Sequence, residues 1–182
     1  MRQDLVARAK GGEEAAFAQL AREIVDRLFS IAFRILRDVD AANDAAQEAL
    51  VKIWRELPAL RDVERFDAWS YRILVNACYA EHRKLRRAVP AALAPPLIDA
   101  DDPIAAVADR DQLERGFGRL PAEQRAALVL QHYLDLSLAE IAEVLDVPIG
   151  TVRSRLHYAR DGMRAALEAD ARAAEARGEV AT

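Results

Sequence analysis

With 182 residues and a formal charge of −4, the chain has room for one ordinary domain or two small ones, and it lacks the positive coat of a sequence-blind nucleic-acid binder. The single Cys78 leaves no intramolecular disulfide, and His82, His132 and His157 are not spaced as a ligand set with it or with each other, which argues against a zinc site. No charged-then-apolar leader and no apolar run of bilayer length occur, so a cytoplasmic chain without membrane insertion is expected.

Alanine, leucine, glutamate and arginine abound, and few segments alternate apolar with polar. The expected fold class is therefore all-α, with two small helical domains joined by a flexible linker and a helix-turn-helix in the second. The first domain is expected over residues 1–87, the linker over 88–109, the second domain over 110–169 and a frayed or disordered tail over 170–182.

Gly11 and Gly12 break whatever precedes them. From Glu13, the spacing of Phe17, Leu20 and Ile24, then Leu28, Ile31, Ala32 and Ile35, predicts one helix running into a second. Asp38 to Asp40 punctuate the chain. A third helix follows, with Ala46, Ala49, Leu50, Ile53 and Leu57 inward and Asp44, Gln47, Glu48, Lys52 and Arg55 outward, and Pro58 stops it. A connector, Leu60 to Arg65, leads to a fourth helix over Phe66 to Arg87. One of its faces carries Trp69, Ile73, Ala77 and Ala80, and Trp69 is read as core. The other carries Arg72, Asn76, Tyr79 and Arg83 at spacings of four, three and four. Arginine for phosphate, an amide for a base edge and an aromatic for stacking suit single-stranded DNA, although the same residues also suit the solvated face of a bundle.

Proline and alanine, then Asp99, Asp101 and Asp102, mark the linker. Its length of about twenty residues reaches at most ~70 Å, or on the order of twenty base pairs at 3.4 Å each. Helices are expected over Arg110 to Arg119 and from Pro121 through Tyr133. Ser137 with Glu140 then forms a capping-box pattern before Leu138, Ile141, Ala142 and Leu145. Asp146 and Val147 make a turn, and Pro148 opens a second helix. There Val152, Leu156, Ala159, Met163 and Leu167 face inward, leaving Thr151, Arg153, Ser154, Arg155, His157 and Arg160 outside. Arginines confined to the outer face of the second helix of such a unit match the way a recognition helix reads guanine or clamps phosphate.

The order and spacing of three stretches resemble a bacterial sigma factor of the extracytoplasmic-function type, in the sigma-70 family. DAAQEALVKIWR, Asp44 to Arg55, is similar to the helix that docks on the clamp helices of the largest polymerase subunit. RFDAWSYRILVNACYAEHRKLRR, Arg65 to Arg87, is similar to the part that reads the minus 10 element. LPAEQRAALVLQHYLDLSLAEIAEVLDVPIGTVRSRLHYAR, Leu120 to Arg160, is similar to the part that reads the minus 35 element. The resemblance implies core polymerase as partner, through the clamp helices and the flap of the second subunit, and promoter DNA, both duplex and single-stranded. It also implies an anti-sigma factor that covers these faces.

By position, Asp44, Gln47 and Glu48 are the implied polymerase contacts. Arg61, Arg65, Arg72, Asn76, Tyr79, Arg83, Arg86 and Arg87 are the implied minus 10 set, with Arg61 to Asp67 and Asn76 holding a base turned out of the stack. Thr151, Arg153, Ser154, Arg155, His157 and Arg160 form the implied minus 35 set, and the anionic linker takes the channel of nascent RNA. The sequence departs from the family at Asp146, where the turn usually has glycine. Asp161 and Gly162 are expected to interrupt the late recognition helix. No GxxxxGK motif followed by Ser or Thr, no clustered catalytic set and no cofactor site is read, so the chain is expected not to be an enzyme. The competing reading is a dimeric helix-turn-helix repressor or activator that works on duplex DNA without joining the polymerase.

Overall fold

The structure, a computed structural model, describes residues 2–88 and 113–180, and every regular element among them is helical. The N-terminal body holds α1 (Arg2–Lys10), α2 (Glu14–Leu36), α3 (Val39–Glu56) and α4 (Phe66–Ala88), with two 3₁₀ turns, Leu57–Ala59 and Val63–Arg65, between the last two. The C-terminal body holds α5 (residues 113–118), α6 (Ala122–His132), α7 (Leu138–Leu145) and α8 (Ile149–Val180). The expected linker falls, beyond residue 88, outside the described residues.

α1 buries Leu5, Val6 and Ala9, and Gly12, at φ 92°, turns the chain into the next helix. The two helices expected after Glu13 are one continuous 23-residue helix. Its buried stripe of Ala16, Leu20, Ile24, Leu28, Ile31 and Ile35 runs without a breaker, so nothing in the sequence ends it before Arg37 at φ 61°. Asp38 then caps α3, its Oδ1 accepting from the Ala41 amide at 2.7 Å. Ala41, Ala42, Ala45, Ala46 and Ala49 are buried on α3, and these small side chains let it lie close against α2 and α4. Pro58 falls in the 3₁₀ turn that ends α3, as its missing donor requires.

α4 is packed on more sides than a two-faced helix. α2, α3, α6 and α7 all contact it, so Tyr71, Leu74, Val75 and Cys78 are buried beside the expected Ile73 and Ala77. Trp69, read as core, is half-buried and packs on the core from the rim of a groove. Burial pushes the Cys78 thiol up to about 12, so it stays protonated.

In the C-terminal body, the Ser137–Glu140 capping box is complete. Glu140 accepts from the Ser137 amide at 2.8 Å, and Ser137 Oγ accepts from the Glu140 amide at 3.3 Å. The Ser137 hydroxyl, donating to Glu140 Oε2 at 2.7 Å, and then the Ser137 amide hold the Glu140 carboxyl below its ordinary value. α7 buries Ile141, Val144 and Leu145, while Leu138 and Ala142 are only half-buried. Asp146 takes the left-handed cap at φ 54°, ψ 48°, a conformation that aspartate tolerates better than most side chains. Pro148 stands just outside α8 rather than at its first position, its carbonyl accepting from the Thr151 amide at 2.8 Å.

α8 corrects one expectation. Asp161 and Gly162 do not interrupt it, because a Cβ at position 162 would come 2.8 Å from Leu120 Cδ2 and glycine lets the helix pass that side chain. The helix runs on to Val180, through most of the stretch expected as a frayed or disordered tail. Asp170 accepts from Arg115 Nε at 3.1 Å and Arg119 Nη2 at 3.2 Å, which ties that turn to α5 and the loop after it. Val152, Leu156 and Ala159 are buried as read, Met163 is half-buried, and Ala166 takes the inward place expected of Leu167.

Candidate nucleic-acid interface

The outer face of α8 presents Arg153, Ser154, His157, Tyr158 and Arg160 to solvent, opposite the buried Val152, Leu156 and Ala159. Ser154 donates to the Gly150 carbonyl at 3.0 Å, and Arg160 Nη2 donates to Gln131 Oε1 at 3.0 Å. His157 Nε2 stands 3.3 Å from Asp161 Oδ2. Thr151 is half-buried at the helix start. Tyr158, 61% exposed, was missed in the sequence. Its signal was its place off the 152–156–159 stripe, next to His157.

Arg155 is the exception in this set. It is half-buried, and its Nη1 is buried without a well-formed hydrogen bond among the described residues. Beside it lies Tyr79 of α4, whose buried hydroxyl faces the Arg155 guanidinium. Burial pushes the Tyr79 phenol up to about 12, against the opposing pull of the Arg155 charge. The structure thus brings together one residue from each of the two implied DNA-reading sets.

A second basic surface lies on the N-terminal body. Leu60, Arg61, Asp62, Arg65, Ala68, Trp69 and Arg72 line a groove of about 300 Å³, and Glu143 of α7 stands at its edge. The connector is shaped by Asp62, whose Oδ1 accepts from the Glu64 amide at 2.9 Å and starts the second 3₁₀ turn. Asn76 is exposed one turn beyond Arg72, and Arg83, Arg86 and Arg87 are exposed towards the end of α4. Arg65 is paired with Glu143, and Arg72 Nη2 lies 3.2 Å from Asp146 Oδ2.

On α3, Asp44, Gln47 and Glu48 are exposed within little more than one turn. Val51 and Trp54, 50% and 41% exposed, continue that helix, with the Trp54 ring 4.5 Å from that of Phe17. The acidic face of α3 thus lies next to apolar surface that no described residue covers.

Arg125 is a further polar residue that sequence reasoning did not mark. It is 5% exposed and has no carboxylate partner among the described residues; Nε donates to the Ile35 carbonyl at 2.5 Å, and Nη1 donates to the Leu120 and Gly118 carbonyls at 2.7 and 3.1 Å. Burial, and then the charge of Arg37, push its pKa down. The Ile35 carbonyl belongs to the last turn of α2, where helical partners run out and a cation is favoured. Nearby, the Arg34 guanidinium lies 3.9 Å from the centroid of the Tyr133 ring, and Arg37 pairs with Glu114.

Among the described residues, no helix is long and apolar enough to cross a membrane. The Sigma-70 region 2 family matches residues 20–88, and the Sigma-70, region 4 family matches residues 110–161. The RNA polymerase sigma-H factor of Pseudomonas aeruginosa is 32% identical, over 91% of this chain and 93% of its own length. The ECF RNA polymerase sigma factor SigM of Mycobacterium tuberculosis is 34% identical, over 86% of this chain and 80% of its own. The solved sigma factor RpoE from Bartonella quintana, in complex with the anti-sigma factor NepR, is 25% identical, with a TM-score of 0.66, covering 85% of this chain and 98% of that one.

Proposed function

Because the chain belongs to the extracytoplasmic-function sigma factors, which direct RNA polymerase core to promoters, we propose that its two basic surfaces divide one promoter between them. Arg153, Ser154, His157 and Arg160, with Thr151 and Arg155, read the duplex minus 35 element from the major groove. Arg61, Arg65 and Arg72 border the groove, and Asn76 and Tyr79 follow on α4. Together they take the non-template strand of the minus 10 element, and Arg83, Arg86 and Arg87 hold its backbone. Extruding a base costs a few kcal/mol, so a groove that accepts one base shape turns that cost into sequence selection and helps opening without fuel. The polymerase does the phosphoryl chemistry, in the cytoplasm, and the chain itself makes and breaks no bond.

Asp44, Gln47 and Glu48 meet the clamp helices, and an anti-sigma factor regulates the assembly by covering these faces. The supporting observation is that Arg153 and Arg160 project from a capped helix-turn-helix while an arginine-rimmed groove, with Glu143 at its edge, lies on the other body. A dimeric repressor gives the groove body no task, and the region 2 match covers that body.

Reconstituted holoenzyme separates the roles. Arg153→Ala is expected to weaken recognition of the upstream element by about 1–3 kcal/mol, whereas Asn76→Ala leaves the closed complex and lowers permanganate reactivity of the opened strand. If both variants lose only salt-dependent affinity that is blind to sequence, these residues do not read bases.

A further inference from the structure

The outer face of α8 divides into two rows. Arg153, His157, Arg160 and Arg164 follow one another at spacings of four, three and four, all exposed, and form its basic flank. Thr151, Ser154 and Tyr158, at spacings of three and four, form a row without charge. Tyr158 is 61% exposed, more than any other large apolar side chain among the described residues. The inner stripe of Val152, Leu156 and Ala159 holds the helix without it, and the His157 ring stands beside it at 5.5 Å, tilted by 47°. Packing therefore does not account for this aromatic.

Its place on the helix limits what it can meet. At about 100° per residue, Tyr158 stands roughly 50° from the line opposite the inner stripe, whereas Arg153 and Arg160 stand roughly 90° and 110° from it. Long arginine side chains reach in from that flank, to a phosphate or to a guanine edge. The neutral ring comes from nearer the middle of the face, where a helix laid in the major groove meets base edges. Ser154, its neighbour there, has its hydroxyl proton committed to the Gly150 carbonyl at 3.0 Å, which leaves the ring as the larger free surface. The apolar group that base edges offer in that groove is the C5-methyl of thymine. A rigid aromatic now covered by water gains by closing over it.

We propose that Tyr158 reads thymine at one position of the upstream element, its ring packed on the C5-methyl, and so sets a preference that the arginines of α8 do not supply. This rests on α8 being the helix that reads the minus 35 element. A promoter recovered from genomic DNA by holoenzyme is randomised over its upstream element. It is then reselected with holoenzyme carrying the unsubstituted chain, Tyr158→Ala, Tyr158→Phe or Arg153→Ala. Position 158 is exposed, so these changes leave the core of the C-terminal body intact.

The unsubstituted chain is expected to select thymine at one position that Tyr158→Ala leaves open, and Tyr158→Phe is expected to keep the preference. Deoxyuridine at that position removes only the methyl group. It should weaken binding by the unsubstituted holoenzyme about fourfold, the worth of one buried methyl, and binding by the Tyr158→Ala holoenzyme by less than about twofold. Three results would each overturn the proposal: the same thymine preference in Tyr158→Ala, an equal deoxyuridine loss in both, or a preference that Tyr158→Phe abolishes, which would assign the contact to the hydroxyl. Failure of the underlying reading is distinct, because Arg153→Ala would then leave every upstream position as selective as before. A preference changed by Arg153→Ala but not by Tyr158→Ala sinks the thymine contact alone.

Discussion

The N-terminal body rests on long helices that share one core, with Leu20, Leu28, Ile31, Ile35, Ile53 and Leu74 sealed from solvent. The C-terminal body closes around a smaller set, Leu130, Ile141, Val144, Val152 and Ala159, on helices of which two are eight residues or fewer. Its α6 also spends a buried arginine on a carbonyl of the other body. The basic residues follow the same division. Arg153 and Arg160 are exposed on a helix whose inner stripe is buried, whereas Arg65 and Arg72 of the N-terminal body are paired with carboxylates of the smaller one.

The comparison breaks most visibly at the cores. Ile31→Ala is expected to cost about 2–5 kcal/mol and to lower the urea midpoint of the whole chain. Ile141→Ala, of similar chemistry, should speed amide exchange in α6–α8 while leaving the slowest amides of α2 and α3 protected. If both changes accelerated exchange equally everywhere, the two bodies would be one cooperative unit. Next in size is Arg125→Met, which keeps an apolar stem but strips the Ile35, Gly118 and Leu120 carbonyls of their donor. A loss of about 1–3 kcal/mol in urea denaturation is expected. No loss would mean that water replaces the guanidinium without cost.

A smaller effect sharpens the view of the C-terminal body alone. Ser137→Ala removes the capping box and should cost about 1 kcal/mol, confined to α7 by exchange. Because the Glu140 carboxyl is held below its ordinary value, its contribution is present above the unfolded carboxylate pKa and lost as pH falls through the depressed one. The Ser137→Ala penalty should therefore shrink in acid, as read by thermal melts from pH 7 downward. Smallest is Cys78, whose alkylation by a maleimide at pH 8 should be slow in the native chain and fast in urea. Rapid native reaction would place that thiol outside the packed face of α4.

Local chemistry made part of this molecule readable in advance. The capping box, the Asp38 and Asp146 ends, the stop at Pro58 and the exposed arginines of α8 each depend on residues within a turn of one another. What escaped depends on distant partners. Whether Gly162 breaks or permits a helix is decided by Leu120, and the inward turn of Ala166 follows from packing against α5 rather than from the stripe extended by fours. α4 was read with one buried face because periodicity cannot show that four other helices surround it. Tyr79 and Arg155 are each expected from the sequence as DNA ligands, and their meeting joins two stretches on either side of the linker and has no local signature. Arg125 escaped for the same reason, since its carbonyl partner on α2 lies 90 residues away.

The most direct test of the account is selection of genomic fragments by purified core polymerase with and without the chain, followed by run-off transcription from the recovered DNA. The account predicts initiation only with the chain present, from fragments that share two separate elements on the same face of the duplex, and no fragment recovered by the chain alone. Recovery of a two-fold symmetric site by the chain without polymerase, with no transcription started from it, would contradict the account.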